Sequence, residues 1–262
     1  MSVVILQDEI VHYEVLGRGR PVIFLHGWVG SWRYWIPAMQ AISVNYRAYA
    51  LDLWGFGDTN KVLEKYTIQQ QANLVMDFME KLGITKTAII GHGLGSVISV
   101  TFSSSHPEMV DRLMPVCLPF NESMISQRLL SIDPSEVSGW LLARVPSNEA
   151  ARMEAPKTDT RAVETSLANL QNLDLAGLSQ HLNTACLYVH GQNDPAVFIP
   201  PVEYLDQLPA QSHYILFEQS AHFPMLEETS KFNRLLCDFL GLPSGESPRQ
   251  LQIKEEWKRR VR

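Results

Sequence analysis

One stretch of the sequence, residues 86–105, constrains the fold more than any other. The run Lys86–Ile90 is short and apolar, as in a buried strand, and from Leu94 onwards the apolar residues recur at helical spacing. A strand therefore passes directly into a helix through Gly91–Gly95. Glycines on both sides of the central residue suit a sharp turn, because no Cβ fits where strand and helix crowd together. The central residue itself is Gly93, which offers no side chain for chemistry.

Strand and helix patterns alternate along most of the 262 residues. Short, largely apolar runs predict strands at Val3–Leu6, Ile10–Leu16, Val22–Leu25, Tyr46–Leu51, Lys86–Ile90, Asp111–Cys117, Ala185–His190 and Tyr214–Glu218. Helical patterns lie between them at Tyr34–Ile42, Thr67–Leu82, Leu94–Ser105, Thr160–Leu170, Pro201–Leu208 and Glu227–Phe239. This alternation predicts an α/β fold with a mostly parallel eight-stranded sheet, helices on both faces and an antiparallel entry hairpin.

The alternation breaks between Leu118 and Pro156, where prolines separate short helical pieces at Glu122–Leu130 and Val137–Val145. We therefore predict a core of residues 1–118 and 160–247, a lid insertion at 119–159 and a tail at 248–262. The tail ends in LQIKEEWKRRVR, with five Lys and Arg against two Glu. It is expected to be a solvated terminal helix, and contact with an acidic partner or a membrane surface is the lesser alternative.

Composition limits the classes of function. A net charge of −6 and a pI near 5.8 disfavour nucleic acid as the main partner, because phosphate binding needs a basic surface. The sequence has neither a leader pattern nor an apolar run long enough for a membrane span, so we expect a cytoplasmic protein. GHGLGS lacks the lysine of a phosphate loop, and no dinucleotide or metal-ligand spacing occurs, so we expect no cofactor and no metal. The oligomeric state stays open.

Six segments occur in a characteristic order: HGW at 26–28, LDLWGFGDT at 51–59, YTIQQQANLVMDFMEKLGITKTAIIGHGLGS at 66–96, HPEMVDRL at 106–113, HGQNDP at 190–195 and SAHFPMLEE at 220–228. In this order they resemble the α/β-hydrolase superfamily, in its serine esterase and lipase branch. The resemblance covers nearly the whole chain except the lid. It implies that Gly93 occupies the nucleophile position, Asp194 is the acid and His222 the base. It also implies an oxyanion hole formed by the backbone N–H groups of Trp28 and Leu94.

Elementary chemistry supports the pairing of Asp194 with His222. Loops at the carboxyl ends of parallel strands meet in one crevice, and both residues follow predicted strands there. A carboxylate that accepts an imidazole N–H fixes the tautomer and stabilises the cation that forms when the ring takes a proton. The two residues therefore form a working base even without a nucleophile.

Neighbouring polar residues fit structural roles better. Asp52 is expected to bond its own glycine-rich loop, and His92 to pack beside the elbow. Ser96 lies a helical turn below the elbow and Cys117 ends a strand, so neither is a good substitute nucleophile. Aromatic loop residues and the lid suggest an apolar small-molecule substrate of small to medium size. The predicted substrate-binding residues are His26, Gly27, Trp32, Trp54 and Trp140.

Glycine at the elbow leaves three interpretations open. In the first, the chain is an ester or thioester hydrolase whose nucleophile, best matched by serine, has been lost. In the second, glycine is native and His222 with Asp194 acts as a general base on water or substrate, giving slow hydrolysis, lyase or proton-transfer chemistry. In the third, the chain is a non-catalytic small-molecule binder.

Overall fold

The computed structural model describes residues 2–142, 145–243 and 245–251. Eight strands of these residues form one sheet: β1 (Ser2–Leu6), β2 (Glu9–Gly17), β3 (Arg20–Leu25), β4 (Tyr46–Leu51), β5 (Thr87–His92), β6 (Val110–Val116), β7 (Ala185–Gly191) and β8 (Ser212–Phe217). Their order is β1-β2-β4-β3-β5-β6-β7-β8. The β1–β2 and β2–β4 pairs are antiparallel and the remaining pairs are parallel. The predicted sheet is therefore confirmed.

Eleven α-helices lie in the same residues: α1 (Ile36–Ile42), α2 (Ile68–Lys81), α3 (Leu94–Ser105), α4 (Gln127–Ser131), α5 (Val137–Leu141), α6 (Glu149–Glu154), α7 (Thr160–Leu170), α8 (Leu175–Gln180), α9 (Val202–Leu205), α10 (Pro224–Glu227) and α11 (Thr229–Gly241). Helix α1 packs against α11, whereas α3 packs against α2 and α8. These two groups cover the two faces of the sheet, which buries its central strands. No helix in this part of the chain is long and apolar enough to cross a membrane.

The β5–α3 junction depends on its flanking glycines. A Cβ on Gly91 would lie 2.2 Å from the carbonyl oxygen of Gly95, and a Cβ on Gly95 would lie 2.3 Å from that of Leu25. Any larger residue at either position would force the strands and the helix apart. The glycine frame of the sequence is therefore explained by close packing of the turn against β3.

The long helix α2 begins and ends as the sequence predicts. The Thr67 side chain accepts a hydrogen bond from the backbone N–H of Gln70, which satisfies one of the free donors of the first turn. Gly83 follows the helix with φ +66°, a conformation that glycine adopts without strain.

The sequence was less informative between β6 and β7. The predicted helix Val137–Val145 ends as α5 at Leu141, because Leu142 is extended. The predicted helix Glu122–Leu130 is a 3-10 turn at Glu122–Met124 followed by α4. Short helices α6 and α8 were not predicted. The division into core and lid stays a prediction.

Two C-terminal predictions also need correction. The predicted helix Pro201–Leu208 is only α9, and the predicted helix Glu227–Phe239 is two helices, because the backbone of Glu228 (φ −123°, ψ 51°) interrupts it. Of the predicted tail, Pro248–Gln250 form a 3-10 turn. The tail residues 252–262 lie outside the described residues.

Candidate active site

The elbow residue Gly93 lies between the fully buried β5 and the first turn of α3. Its backbone, with φ 49° and ψ −111°, lies where residues with a side chain are strained. The N–H of Gly93 donates to the Val116 carbonyl oxygen at 2.9 Å, and its own carbonyl oxygen accepts from Ser96 and Val97. The turn thus has the conformation expected of a nucleophile elbow but presents no side chain.

Asp194 and His222 meet beside this elbow. Nδ1–H of His222 donates to Oδ2 of Asp194 at 2.8 Å, and both side chains are buried. The other carboxylate oxygen, Oδ1, accepts from the backbone N–H groups of Ala196 and Val197 at 2.8 and 3.0 Å, which orients the carboxylate. Burial alone would raise the pKa of Asp194, but the charge and hydrogen bond of His222 outweigh it and lower this pKa to about 2. The carboxylate is therefore ionised at neutral pH.

Nε2 of His222 has no hydrogen-bond partner among the described residues. This nitrogen is the one that a base uses, since Asp194 holds the proton on Nδ1. The ring of His222 lies 4.6 Å, centroid to centroid, from the ring of His92, the residue before Gly93. The imidazole–carboxylate pair thus stands next to the turn that lacks a nucleophile.

Two glutamates that the sequence analysis did not single out hold the His222 loop. Glu227 Oε2 accepts from the backbone N–H of Ala221, and Glu228 Oε2 accepts from the Ser220 hydroxyl, both at 2.6 Å. The signal in the sequence was the pair of glutamates that closes SAHFPMLEE. These bonds tie the loop to α10 and so fix the backbone on which His222 is carried.

The predicted oxyanion hole has two backbone donors, the N–H groups of Leu94 and Trp28. Leu94 follows Gly93 in the chain, and Trp28 lies against Gly93 in space. Leu94 is the first residue of α3, and its N–H has no acceptor within the helix. In residues 2–142, 145–243 and 245–251, neither this N–H nor that of Trp28 donates to a protein acceptor. Free N–H groups at a helix N-terminus can stabilise an oxyanion.

The indole of Trp28 packs over Gly93. A Cβ on Gly93 would lie 3.3 Å from Cε3 and Cζ3 of this ring, which is tighter than an ordinary contact. The ring is buried, and its Nε1–H donates to the hydroxyl of Ser166 on α7 at 3.1 Å. Trp28 therefore links the elbow to α7, the helix that follows the predicted lid segment.

A cavity of about 300 Å³ is lined in part by Trp28. Trp28 and Val29 form one wall, and residues from the segment 134–160, among them Pro134, Ala155 and Pro156, form the other. The volume is at the lower end of the range of about 300–1,000 Å³ that is typical of ligand pockets. No charged side chain lines it, so it suits an uncharged group.

Neither substitute nucleophile is suitable. The Ser96 hydroxyl donates to the Gly93 carbonyl oxygen at 2.6 Å and is buried within α3. Cys117 is buried with φ +53°, and its Sγ–H points to the His222 carbonyl oxygen at 3.5 Å. Burial and the nearby charge of Asp194 raise the pKa of Cys117 well above its ordinary value, so the thiol stays protonated.

Two of the predicted substrate-binding residues, His26 and Gly27, make contacts that support the loops, and their role in substrate binding stays a prediction. His26 is buried, donates from Nδ1 to the Gly27 carbonyl oxygen at 2.8 Å and accepts from the Leu53 N–H at Nε2. Burial lowers its pKa, so the ring is neutral. A Cβ on Gly27 would lie 2.9 Å from Nδ1 of His92, so this glycine permits close packing against that ring.

The three predicted tryptophans lie in separate places. The ring of Trp32 is 5.9 Å from the ring of His12, the ring of Trp54 faces Nζ of Lys65 at 4.5 Å, and the ring of Trp140 faces Arg128 at 4.9 Å. None of these contacts joins a ring to Gly93 or His222. The role of these three tryptophans in substrate binding therefore stays a prediction.

Asp52 has the structural role that the sequence indicates. Its carboxylate accepts from the N–H groups of Trp32 and Asp58 and from Nδ1 of His12, at 2.9, 3.0 and 2.8 Å. It thereby joins the glycine-rich loop after β4 to the loop after β3.

Three side-chain groups of the described residues have ligand atoms within 4.8 Å of one another: His92–Cys117–His222, Cys117–His190–Asp194 and His12–Asp52–Asp58. In the first two, a protonated thiol takes part and most ring nitrogens already have hydrogen-bond partners. A metal would have to break those bonds, so the donor sets fit hydrogen bonding better.

The class of this protein follows from three features: the order of the strands, the glycine elbow, and the Asp194–His222 pair at the carboxyl ends of the strands. The family model described as alpha/beta hydrolase fold matches residues 20–186, which is more than half of the chain. The chain therefore belongs to the α/β-hydrolase fold family, and the resemblance noted in the sequence is confirmed.

Several known hydrolases are similar to this chain. The pimeloyl-[acyl-carrier protein] methyl ester esterase of Aliivibrio fischeri is 24% identical over 254 residues, covering 88% of this chain and 97% of that protein. The esterase EaEST from Exiguobacterium antarcticum superimposes with a TM-score of 0.81 at 18% identity, covering 92% of this chain and 99% of the other. A serine-to-glycine mutant of the N-acyl homoserine lactonase AidH, complexed with N-hexanoyl homoserine lactone, gives 0.76 at 19% identity, covering 91% and 96%. These structural likenesses establish the fold.

Proposed function

We propose that this chain is an α/β-hydrolase of the carboxylic ester or thioester type in which Gly93 has replaced the nucleophile. The observation that carries the proposal is the buried His222–Asp194 pair beside a nucleophile elbow without a side chain. The free N–H groups of Trp28 and Leu94 supply the matching electrophilic donors. A serine at the elbow is the part that such a site lacks.

The expected loss of covalent chemistry is large. Removing the nucleophile of a serine hydrolase lowers turnover by about 10⁶-fold, while the remaining oxyanion hole and binding groups still give roughly 10³-fold over water. The chain as it stands therefore binds its substrate but forms no acyl-enzyme.

The substrate is an uncharged ester, thioester or lactone of small to medium size. The cavity beside Trp28 has no charged lining residue, which favours an apolar acyl or alkyl group. The similar proteins include a methyl ester esterase and a lactonase mutant complexed with N-hexanoyl homoserine lactone, which is consistent with an ester or lactone substrate.

A second candidate function follows from the free Nε2 of His222. In this mechanism a water molecule gives its proton to Nε2 of His222 while its oxygen attacks the acyl carbon, and His222 then returns the proton to the leaving alkoxide. General-base catalysis of this kind is worth about 10²–10⁴-fold. The retained hydrogen bond to Asp194 at 2.8 Å is what favours it.

The test is the Gly93→Ser variant, assayed with p-nitrophenyl acetate, butyrate and octanoate. The proposal predicts ester hydrolysis that is absent from the native chain and is abolished by adding His222→Ala. A folded Gly93→Ser protein without activity on any of the three esters would overturn it.

The general-base alternative is tested in the native chain. Slow hydrolysis that disappears in His222→Ala supports activation of water. Tight binding of a non-hydrolysable acyl ketone, with no turnover that depends on His222, supports a binder and contradicts the alternative.

A further inference from the structure

A continuous line of buried hydrogen bonds runs beneath the candidate site. The backbone N–H of Gly27 lies 2.7 Å from the hydroxyl oxygen of Tyr34, which lies 2.9 Å from Nδ1 of His92. Nε2 of His92 lies 2.7 Å from the carbonyl oxygen of His222. Gly27, Tyr34, His92 and His222 are all buried, so water does not compete for these groups.

The two ends of the line fix the direction of its outer bonds, and the middle bond then follows for a neutral ring. A backbone N–H can only donate, so the Tyr34 oxygen accepts from Gly27 and leaves its own proton free for Nδ1 of His92. A carbonyl can only accept, so Nε2 of His92 carries the proton that it shares with His222. His92 is therefore a neutral ring in one defined tautomer.

A second proton on His92 would break the line. Nδ1–H and the Gly27 N–H would then both point at the Tyr34 oxygen, and the tyrosine proton would have no acceptor. The ionisable groups around His92 are Tyr34, His26, Cys117, His222 and Asp194. Burial, followed by the charge of His222, holds the pKa of His92 well below its ordinary value, in agreement with this geometry.

The line joins the two halves of the site that must act together. Gly27 precedes Trp28, whose N–H is one of the predicted oxyanion donors, and His222 is the predicted base. His92 itself precedes Gly93. The rings of Tyr34 and His92 meet edge to face at 5.7 Å, so packing holds them in register as well.

We infer that Tyr34 and His92 are positioning residues, which hold the backbone of the oxyanion loop and the backbone of His222 at a fixed separation across the elbow. The inference rests on the proposed function, because it gives these residues a purpose in an ester hydrolase site. They do not touch the reacting atoms. Their effect is on the alignment of groups that do.

The first experiment uses the native chain and needs no activity. Long-range ¹H–¹⁵N spectra of the histidine rings should show His92 protonated at Nε2 and bare at Nδ1, unchanged between about pH 8 and pH 5, where an ordinary imidazole titrates. In Tyr34→Phe, Nδ1 loses its donor and its resonance should move. A proton on Nδ1 in the native chain, or titration of His92 at an ordinary pH, would overturn the inference.

The second experiment uses the Gly93→Ser background. Tyr34→Phe should lower kcat for the p-nitrophenyl esters by roughly 10- to 100-fold with little change in KM, because misalignment affects the reacting geometry more than binding. The matched control is Tyr46→Phe, since the Tyr46 hydroxyl also accepts one bond, from Arg20, and donates another, to Leu240. An equal effect of both variants, or none from Tyr34→Phe, contradicts a positioning role.

These two experiments distinguish a failure of the proposed function from a failure of the positioning role. If Gly93→Ser is inactive, the proposed function fails, yet the ring spectra still decide whether the hydrogen-bonded line exists. If Gly93→Ser is active and Tyr34→Phe leaves kcat unchanged, the proposed function stands and the positioning role falls.

Discussion

Replacement of Gly93 by alanine should destabilise the protein, although it adds only one methyl group. The backbone of Gly93 has φ 49° and ψ −111°, a region that costs a residue with a Cβ about 1–3 kcal/mol. The new Cβ would also lie 3.3 Å from the Trp28 ring, which must shift by a few tenths of an ångström. We expect a loss of about 2 kcal/mol in the free energy of unfolding, or roughly 4–8 °C in Tm.

Two other glycines provide matched controls. Gly83 has φ +66° and Gly139 in α5 does not have a positive φ, and in neither case does any atom of the described residues lie within 4 Å of an added Cβ. Gly83→Ala should therefore show the backbone strain alone, about 1 kcal/mol, and Gly139→Ala should be neutral or stabilising by about 0.4–1 kcal/mol. Urea unfolding followed by circular dichroism measures all three.

The stabilities of the three variants show whether backbone strain and the Trp28 contact act at Gly93. If Gly93→Ala is as stable as the native chain while Gly83→Ala loses stability, then neither backbone strain at Gly93 nor contact with Trp28 lowers the free energy of unfolding. The expected result has a practical consequence as well, because Gly93→Ser carries the same strain and should be assayed well below its own Tm.

Two further predictions concern the Asp194–His222 pair and Trp28. Because the pKa of Asp194 is lowered from 3.8 to about 2, its ionised form contributes about 2 kcal/mol of stability that is complete above about pH 4 and is lost as the pH falls towards 2. Asp194→Asn should therefore flatten the pH dependence of unfolding in that range, and an unchanged slope would contradict the assignment. Ser166→Ala removes the acceptor of the Trp28 indole N–H and should reduce stability by about 1–3 kcal/mol. Ser131→Ala, whose hydroxyl is exposed, should change stability little, and equal effects of the two variants would show that the indole bond is unimportant.

Periodicity and glycine placement predicted the regular part of the fold well. Strand β4 and helix α7 have the predicted bounds, because a largely apolar run, broken only by Arg47, and an Asp159 N-cap mark them in the sequence. Short elements between prolines were harder to predict. Helices such as α6 have too few turns for a periodic pattern, and tertiary contacts decide whether they form.

The candidate site was likewise predictable only in part. Asp194 and His222 follow strands at the same edge of the sheet, and their order along the chain is informative. The bond from Trp28 to Ser166 and the line through Tyr34 and His92 join residues that are 138, 58 and 130 positions apart. No local pattern in the sequence encodes such pairings, because each depends on the packing of distant elements.

Mass spectrometry of Gly93→Ser after treatment with a fluorophosphonate ester shows whether the base, the acid and the oxyanion donors are arranged around the elbow for attack. We expect one stoichiometric adduct on the introduced hydroxyl, formed only when His222 is present and absent from the native chain. A folded Gly93→Ser protein that remains unlabelled would contradict it, because the base, the acid and the oxyanion donors would then not be arranged for attack from that position.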